Sequence, residues 1–166
     1  MATQDNLQNA FAGESQANRM YLAFAKKADR ESMPGVAKVF RAAAEAETVH
    51  AHAHLRAMGT VKSTGENLDH AIKGESFEFQ EMYPEFIAQA EVEGNKAALI
   101  SFQNAMAVEQ VHYSLYIEAK KAVEAGKDME VEKIFVCSVC GNTVLGQPPE
   151  KCPVCGVGSD KFDEIE

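Results

Sequence analysis

Phe40 to His50 reads FRAAAEAETVH, and Phe102 to His112 reads FQNAMAVEQVH. Phe, Ala, Glu, Val and His recur at the same five of eleven positions, sixty-two residues apart. Alanine-rich stretches of this kind read as helix. On a helix, side chains at i and i+3 share a face. Glu47 and His50 therefore point one way, and so do Glu109 and His112. One such pair means little on a solvated surface. Two copies, each behind an apolar stripe, predict two helical hairpins about a pseudo-twofold axis, with both pairs facing it.

Breakers around the repeat set the helix count. Met33-Pro34-Gly35 ends a first helix and starts a second, proline being suited to a first helical turn. The stretch GTVKSTG, residues 59–65, ends the second and offers Thr64 as N-cap of the third. Pro84 is expected to bend or interrupt that third helix. Glu93-Gly94-Asn95 separates it from a fourth, which ends near Gly126. Four helices of this length make a bundle. The remaining segment is rich in glycine, proline and β-branched residues and too short to bury a core without a staple. The expected division is a helical bundle over 1–128 and a small β-rich module over 129–166.

The staple is cysteine. Cys137-x-x-Cys140-Gly141 and Cys152-Pro153-Val154-Cys155-Gly156 are two knuckles, and each brings two sulfurs to one tetrahedral metal. The ligand set alone leaves zinc and iron open. Phe135 and Phe162 read either as shields for the site or as ordinary filler. All four cysteines lie in these pairs, and the N-terminus lacks a basic segment followed by an apolar one. Both features point to the cytoplasm. A net charge of −9 argues against a nucleic-acid partner, and no apolar run is long enough to span a bilayer.

Further carboxylates lie on the other helices. Glu14 sits among Phe11, Ala12 and Ala17, and Glu75 and Glu78 are again i, i+3. Like charges at that spacing destabilise a helix unless something positive lies between them. Glu14 precedes Glu47 by 33 residues and Glu78 precedes Glu109 by 31, so each hairpin brings its pair to comparable height. One Glu from each of two helices plus Glu-x-x-His from each of the others is the di-metal carboxylate pattern, here with one carboxylate to spare.

With AFAGESQA, EAETVH, GESFEFQEMYP, AVEQVH, VCSVCG and CPVCG in order, nearly the whole chain resembles the rubrerythrins, ferritin-like di-iron proteins with a C-terminal rubredoxin-type iron module. The resemblance implies that Glu14, Glu47, His50, Glu75, Glu78, Glu109 and His112 bind two irons. It implies that Cys137, Cys140, Cys152 and Cys155 bind a third. Glu78 and His50 would be an exchanging pair, carboxylate when that iron is oxidised and imidazole when it is reduced. Periodicity alone reads Tyr21 and Tyr83 as core residues; the resemblance places them beside the carboxylates as proton donors. His52 and His54 read as solvated or outer residues, Glu45 as a rival to Glu47 without its histidine, and Glu91 and Glu93 as exposed.

The implied reaction is two-electron reduction of hydrogen peroxide to water, with the four-cysteine iron refilling the pair. Electrons would come from an NAD(P)H-dependent reductase or a rubredoxin. A ferritin-like ferroxidase is the rival reading, but it has no need of a tethered one-electron relay. Seven residues between the second and third helices are few for the climb that a single-chain bundle demands. A homodimer that exchanges helix pairs is therefore expected.

Overall fold

Glycine, proline and capping residues mark most of the helix ends. The computed structural model describes residues 2–166, in which α1 spans Thr3–Arg30 and α2 spans Pro34–Met58. Pro34 occupies the first turn of α2, where backbone N–H groups lack intrahelical partners in any case. Gly59 closes α2 with φ 65°, a left-handed conformation that costs glycine little. The two helices pack along small residues, with Ala25, Ala28, Ala37, Ala44 and Ala51 all buried. Asn18, also buried, donates from Nδ2 to the Ala44 carbonyl at 2.7 Å and to Thr48 Oγ1 at 2.9 Å. These bonds fix the register of α1 on α2 one turn from Glu14.

Ser63, rather than the expected Thr64, caps α3 (Thr64–Phe77). Its hydroxyl accepts from the Glu66 N–H, and the Glu66 carboxylate accepts from the Ser63 N–H at 3.2 Å. This Ser-x-x-Glu box satisfies two donors at once, which Thr64 with Asn67 three residues on could not. The interruption expected at Pro84 takes a specific form, a wider turn directly ahead of it. Glu78–Met82 form a π-helical turn that leads into α4 (Tyr83–Glu93), with Pro84 in its first turn. The Tyr83 N–H reaches back five residues to the Glu78 carbonyl. A proline in an unbroken α-helix lacks an N–H and crowds the carbonyl four residues earlier. The wider turn directly ahead of Pro84 absorbs that disruption. Gly94, at φ 67°, ends α4, and Asn95 caps α5 (Lys96–Glu124) by accepting from the Ala98 N–H at 3.1 Å.

The rest of the chain forms an antiparallel sheet in the order β2-β1-β3, from β1 (Ile134–Cys137), β2 (Thr143–Leu145) and β3 (Phe162–Ile165). Phe135 pairs with Val144 on one side and Glu164 on the other, and Cys137 faces Phe162. Cys137, Cys152 and Phe162 are buried, with Phe135, Val144, Val154 and Val157 packed around them. Both phenylalanines singled out in the sequence thus belong to the packing around the cysteines. The fold is mostly α with a small β-rich C-terminal module, as the sequence predicts. The chain divides into two compact units, Met1–Lys62 and Ser63–Glu166. The first contains α1 and α2; the second contains α3, α4, α5 and the sheet. No helix among the described residues is long and apolar enough to cross a membrane.

Candidate metal centres

The two cysteine knuckles are built alike. The Gly141 N–H donates to the Cys137 carbonyl at 2.8 Å, and the Gly156 N–H donates to the Cys152 carbonyl at 2.9 Å. Both glycines are left-handed, at φ 86° and φ 76°. Cys137 Sγ lies 3.7 Å from Cys155 Sγ, and Cys140 Sγ lies 3.6 Å from Cys152 Sγ. A disulfide would need about 2.0 Å. Four sulfurs about 2.3 Å from a tetrahedral ion lie about 3.8 Å apart, so the spacing is that of a metal site. Burial opposes the Cys152 thiolate, but the Cys155 and Val154 backbone N–H groups outweigh it and bring the thiol down to about 7. Burial pushes the Cys140 thiol up. A metal ion would compensate that cost.

Carboxylates and imidazoles gather in two clusters, one per unit. In the first, Glu14, Glu47 and His50 bring ligand atoms within 4.8 Å of one another, with His50 Nδ1 2.8 Å from Glu47 Oε2. In the second, Glu75, Glu109 and His112 do the same. His112 Nδ1 is 2.8 Å from Glu109 Oε2 and 3.9 Å from Glu75 Oε1. The i, i+3 geometry inferred from the sequence is thus realised in both copies. Six of the seven bundle residues implied as ligands fall in these clusters.

The seventh, Glu78, stands beside the second cluster rather than in it. Burial raises its carboxyl pKa, the charge of Glu109 adds to the rise, and His112 opposes it. Glu75 is pushed up to about 7 by burial, by its hydrogen bond with Glu109, and by the charges of Glu109 and Glu78. Three half-buried carboxylates thus repel one another at a place where a cation would be held. Oxygen and imidazole donors in this combination suit iron. Tyr83 senses the same site: burial, then Glu78, Glu109 and Glu75, hold its phenol above the ordinary value. Tyr21 is held by rings instead, with Phe24 and Phe40 each 6.3 Å away, and its hydroxyl makes no hydrogen bond among the described residues. His52 is exposed and His54 half-buried, and neither belongs to a cluster among the described residues; Glu45, Glu91 and Glu93 are exposed.

The duplication runs further than the two quoted stretches. Tyr21, Phe24 and Phe40 form a ring cluster with centroids 6.3, 6.3 and 5.5 Å apart. Tyr83, Phe86 and Phe102, each sixty-two residues on, repeat it at 6.2, 6.3 and 5.5 Å. Glu14 and Glu75, however, are sixty-one residues apart. The offset changes by one between Glu75 and Tyr83, where the π-helical turn inserts one residue. Glu78 begins that turn, and Ala17 holds the corresponding place on α1. The spare carboxylate therefore sits where the second half departs from the first.

Two residues near the clusters escape sequence reasoning. Tyr116 is raised by burial, then by Glu75 and Glu109. Its signal was available, because it follows Glu109 by seven residues, two turns along one face. Asn18, four residues after Glu14, is a buried amide whose role depends on a partner helix that local sequence does not reveal.

Comparison with known proteins agrees with both kinds of site. Residues 5–120 match the family model Rubrerythrin, and residues 135–163 match the model for the rubrerythrin rubredoxin-like domain. Rubrerythrin-2 of Clostridium acetobutylicum is 34% identical, over 96% of this chain and 95% of its own length. Rubrerythrin of Porphyromonas gingivalis is 35% identical, over 99% of this chain and 90% of its own. A solved structure of partially reduced nigerythrin, 32% identical, covers 99% of this chain and 87% of its own with a TM-score of 0.59. The chain belongs to the rubrerythrin family, iron proteins that combine a carboxylate–histidine di-iron site with a rubredoxin-like iron on four cysteines.

Proposed function

We propose that this protein reduces hydrogen peroxide to water, with its four-cysteine module relaying electrons to the carboxylate–histidine site. The observation that carries this reading is the coexistence of two donor sets on one chain: sulfurs at tetrahedral spacing, and carboxylates clustered with imidazole nitrogens. Hydrogen peroxide takes up two electrons and two protons, its O–O bond breaks, and two waters leave. Glu14, Glu47, His50, Glu75, Glu78, Glu109 and His112 would hold two irons, and these would supply the two electrons. The chain manages the protons. Tyr83 remains a protonated phenol, because burial and three carboxylates disfavour its anion, and so it can donate toward a bound substrate. Tyr21 has the corresponding role in the first half. Glu78 and His50 would be the pair that exchange with the charge of a bound iron.

Functionally the chain reads as a bundle over 1–128 and an iron module over 129–166. Hydrogen peroxide is the substrate, an NAD(P)H-dependent reductase or a rubredoxin the external electron donor, and the cytoplasm the working compartment. The helix ends support an exchanged homodimer. In a ferritin-like bundle α2 and α3 run parallel with their ligands level. From Glu47 to the end of α2 at Met58, and from the start of α3 at Thr64 to Glu75, each climb is about 16 Å at 1.5 Å per residue. The return is therefore about 33 Å, while the six steps from Met58 to Thr64 reach at most about 22 Å. Exchange of helix pairs removes the shortfall. Each site then takes Glu14, Glu47 and His50 from one subunit and Glu75, Glu78, Glu109 and His112 from the other.

The test is spectroscopic. Iron-loaded protein should show thiolate-to-iron bands that bleach with reductant under nitrogen and return on adding one equivalent of hydrogen peroxide. Bands that stay bleached would overturn the reading.

A further inference from the structure

The two ring nitrogens of His112 have different neighbours. Nδ1 faces Glu109 and Glu75, whereas Nε2 lies 3.0 Å from Thr143 Oγ1 on β2. Thr143 follows Cys140 by three residues, and its hydroxyl lies 3.1 Å from the Gly141 carbonyl oxygen. A hydroxyl has one proton to give, and a carbonyl can only accept. Thr143 therefore donates to Gly141 and accepts from the Nε2–H of His112. With its proton on Nε2, neutral imidazole carries its lone pair on Nδ1, the nitrogen that faces the carboxylates. The same knuckle rests on the same helix face. A Cβ at Gly141 would lie 3.7 Å from Val108 Cγ1, and Val108 is buried one turn before His112.

The first half of the duplication offers an internal control. His50 approaches Glu47 through Nδ1 at the same 2.8 Å, but Glu47 is its only hydrogen-bond partner among the described residues. Among the described residues, the outer bond exists only on the half to which the cysteine module is joined.

We propose that Thr143 is a positioning residue for metal binding: through it the four-cysteine module fixes the tautomer and ring orientation of His112, and so tunes the metal affinity of the carboxylate site. This rests on the reading of Glu75, Glu109 and His112 as metal ligands. A ligand histidine whose outer N–H loses its partner typically binds metal 10–100-fold more weakly, because tautomer and ring angle are then no longer held. The coupling runs from one metal centre to the other through Cys140, Gly141 and Thr143.

The experiment is a Co2+ titration of the full-length chain, with zinc already in the four-cysteine site, followed by visible absorption of the bundle site. Thr143→Val removes the hydroxyl but keeps the branched shape, and Thr143→Ser keeps the hydroxyl. The expected result is weakening by about 10–100-fold for one equivalent of Co2+ in Thr143→Val, with Thr143→Ser within a few-fold of the parent. Thr143→Val titrating like the parent would overturn the inference. Equal weakening in both variants would do so too, since it would assign the effect to packing. A parent chain that takes up no Co2+ in the bundle would refute the ligand assignment itself.

Discussion

Emptying the carboxylate site should make the protein less stable as pH rises, and Glu75 sets the scale. In the metal-free chain its carboxyl is raised from 4.5 to about 7 by burial, by the Glu109 hydrogen bond and charge, and by Glu78. Between those values the folded chain holds a proton that the unfolded chain has released. Stability changes with pH as protons bound unfolded minus protons bound folded. That difference is negative here, so this group's effect on stability is absent below pH 4.5, grows unfavourable as pH rises, and levels off above about pH 7. At 1.36 kcal/mol per decade the interval is worth at most about 3 kcal/mol. Partial exposure screens the charge and reduces this to about 1–2 kcal/mol. Glu75→Gln keeps the shape and removes the titration. Urea unfolding followed by helical circular dichroism, at about pH 5 and about pH 7.5 with zinc on the cysteines only, is the assay. The parent should lose about 1–2 kcal/mol more than Glu75→Gln between the two conditions. Glu78 and other titrating groups act in both chains, so the comparison cancels most of their effect. Equal losses in parent and variant would refute the reasoning.

Glu109→Ala or His112→Ala should remove iron from the bundle and leave the thiolate-bound iron coloured; an unchanged iron count per chain would show that these residues are not ligands. Cys137→Ser should spare bundle iron and stop reductant-driven turnover, so full activity with the reductase would rule out the relay. Helix exchange predicts complementation between Glu47→Ala/His50→Ala chains and Glu109→Ala/His112→Ala chains. Unfolded together and refolded, they should regain about a quarter of parental activity, since half the dimers are mixed and each mixed dimer has one intact site. No regain would place all seven ligands of a site on one chain.

Local chemistry made most of the fold legible. The helix stops at Gly59 and Gly94, the proline start of α2 and the cysteine knuckles follow from residues adjacent in sequence. The pairing of Glu47 with His50 and of Glu109 with His112 was legible for the same reason, since i, i+3 spacing fixes a direction once a helix is granted. The Ser63 cap was missed although Ser-x-x-Glu is a local signal, because Thr64 also offers a hydroxyl and the glutamate that decides between them lies three residues further on. The π-helical turn was not legible, because a proline in a helical pattern announces disruption without specifying its form. Asn18 and Thr143 act on residues 26 and 31 positions away, and no periodicity reports contacts of that separation.

The two carboxylate–histidine clusters share one pattern and differ in ways that fall on the same side. The second half carries the inserted residue of the π-helical turn, and with it Glu78, where the first half has Ala17. The second half also carries the Thr143 contact to His112, whereas His50 is exposed and bonded only to Glu47 among the described residues. With Nδ1 turned to an ion, His112 would still keep its Nε2–H bond to Thr143, whereas His50 has no such outer bond among the described residues and would swing at lower cost. The extra carboxylate is thus on the second half, and the imidazole with fewer partners among the described residues is on the first. Under the proposed exchange of helix pairs, this asymmetry would favour Glu78 and His50, rather than Glu78 and His112, as the exchanging pair.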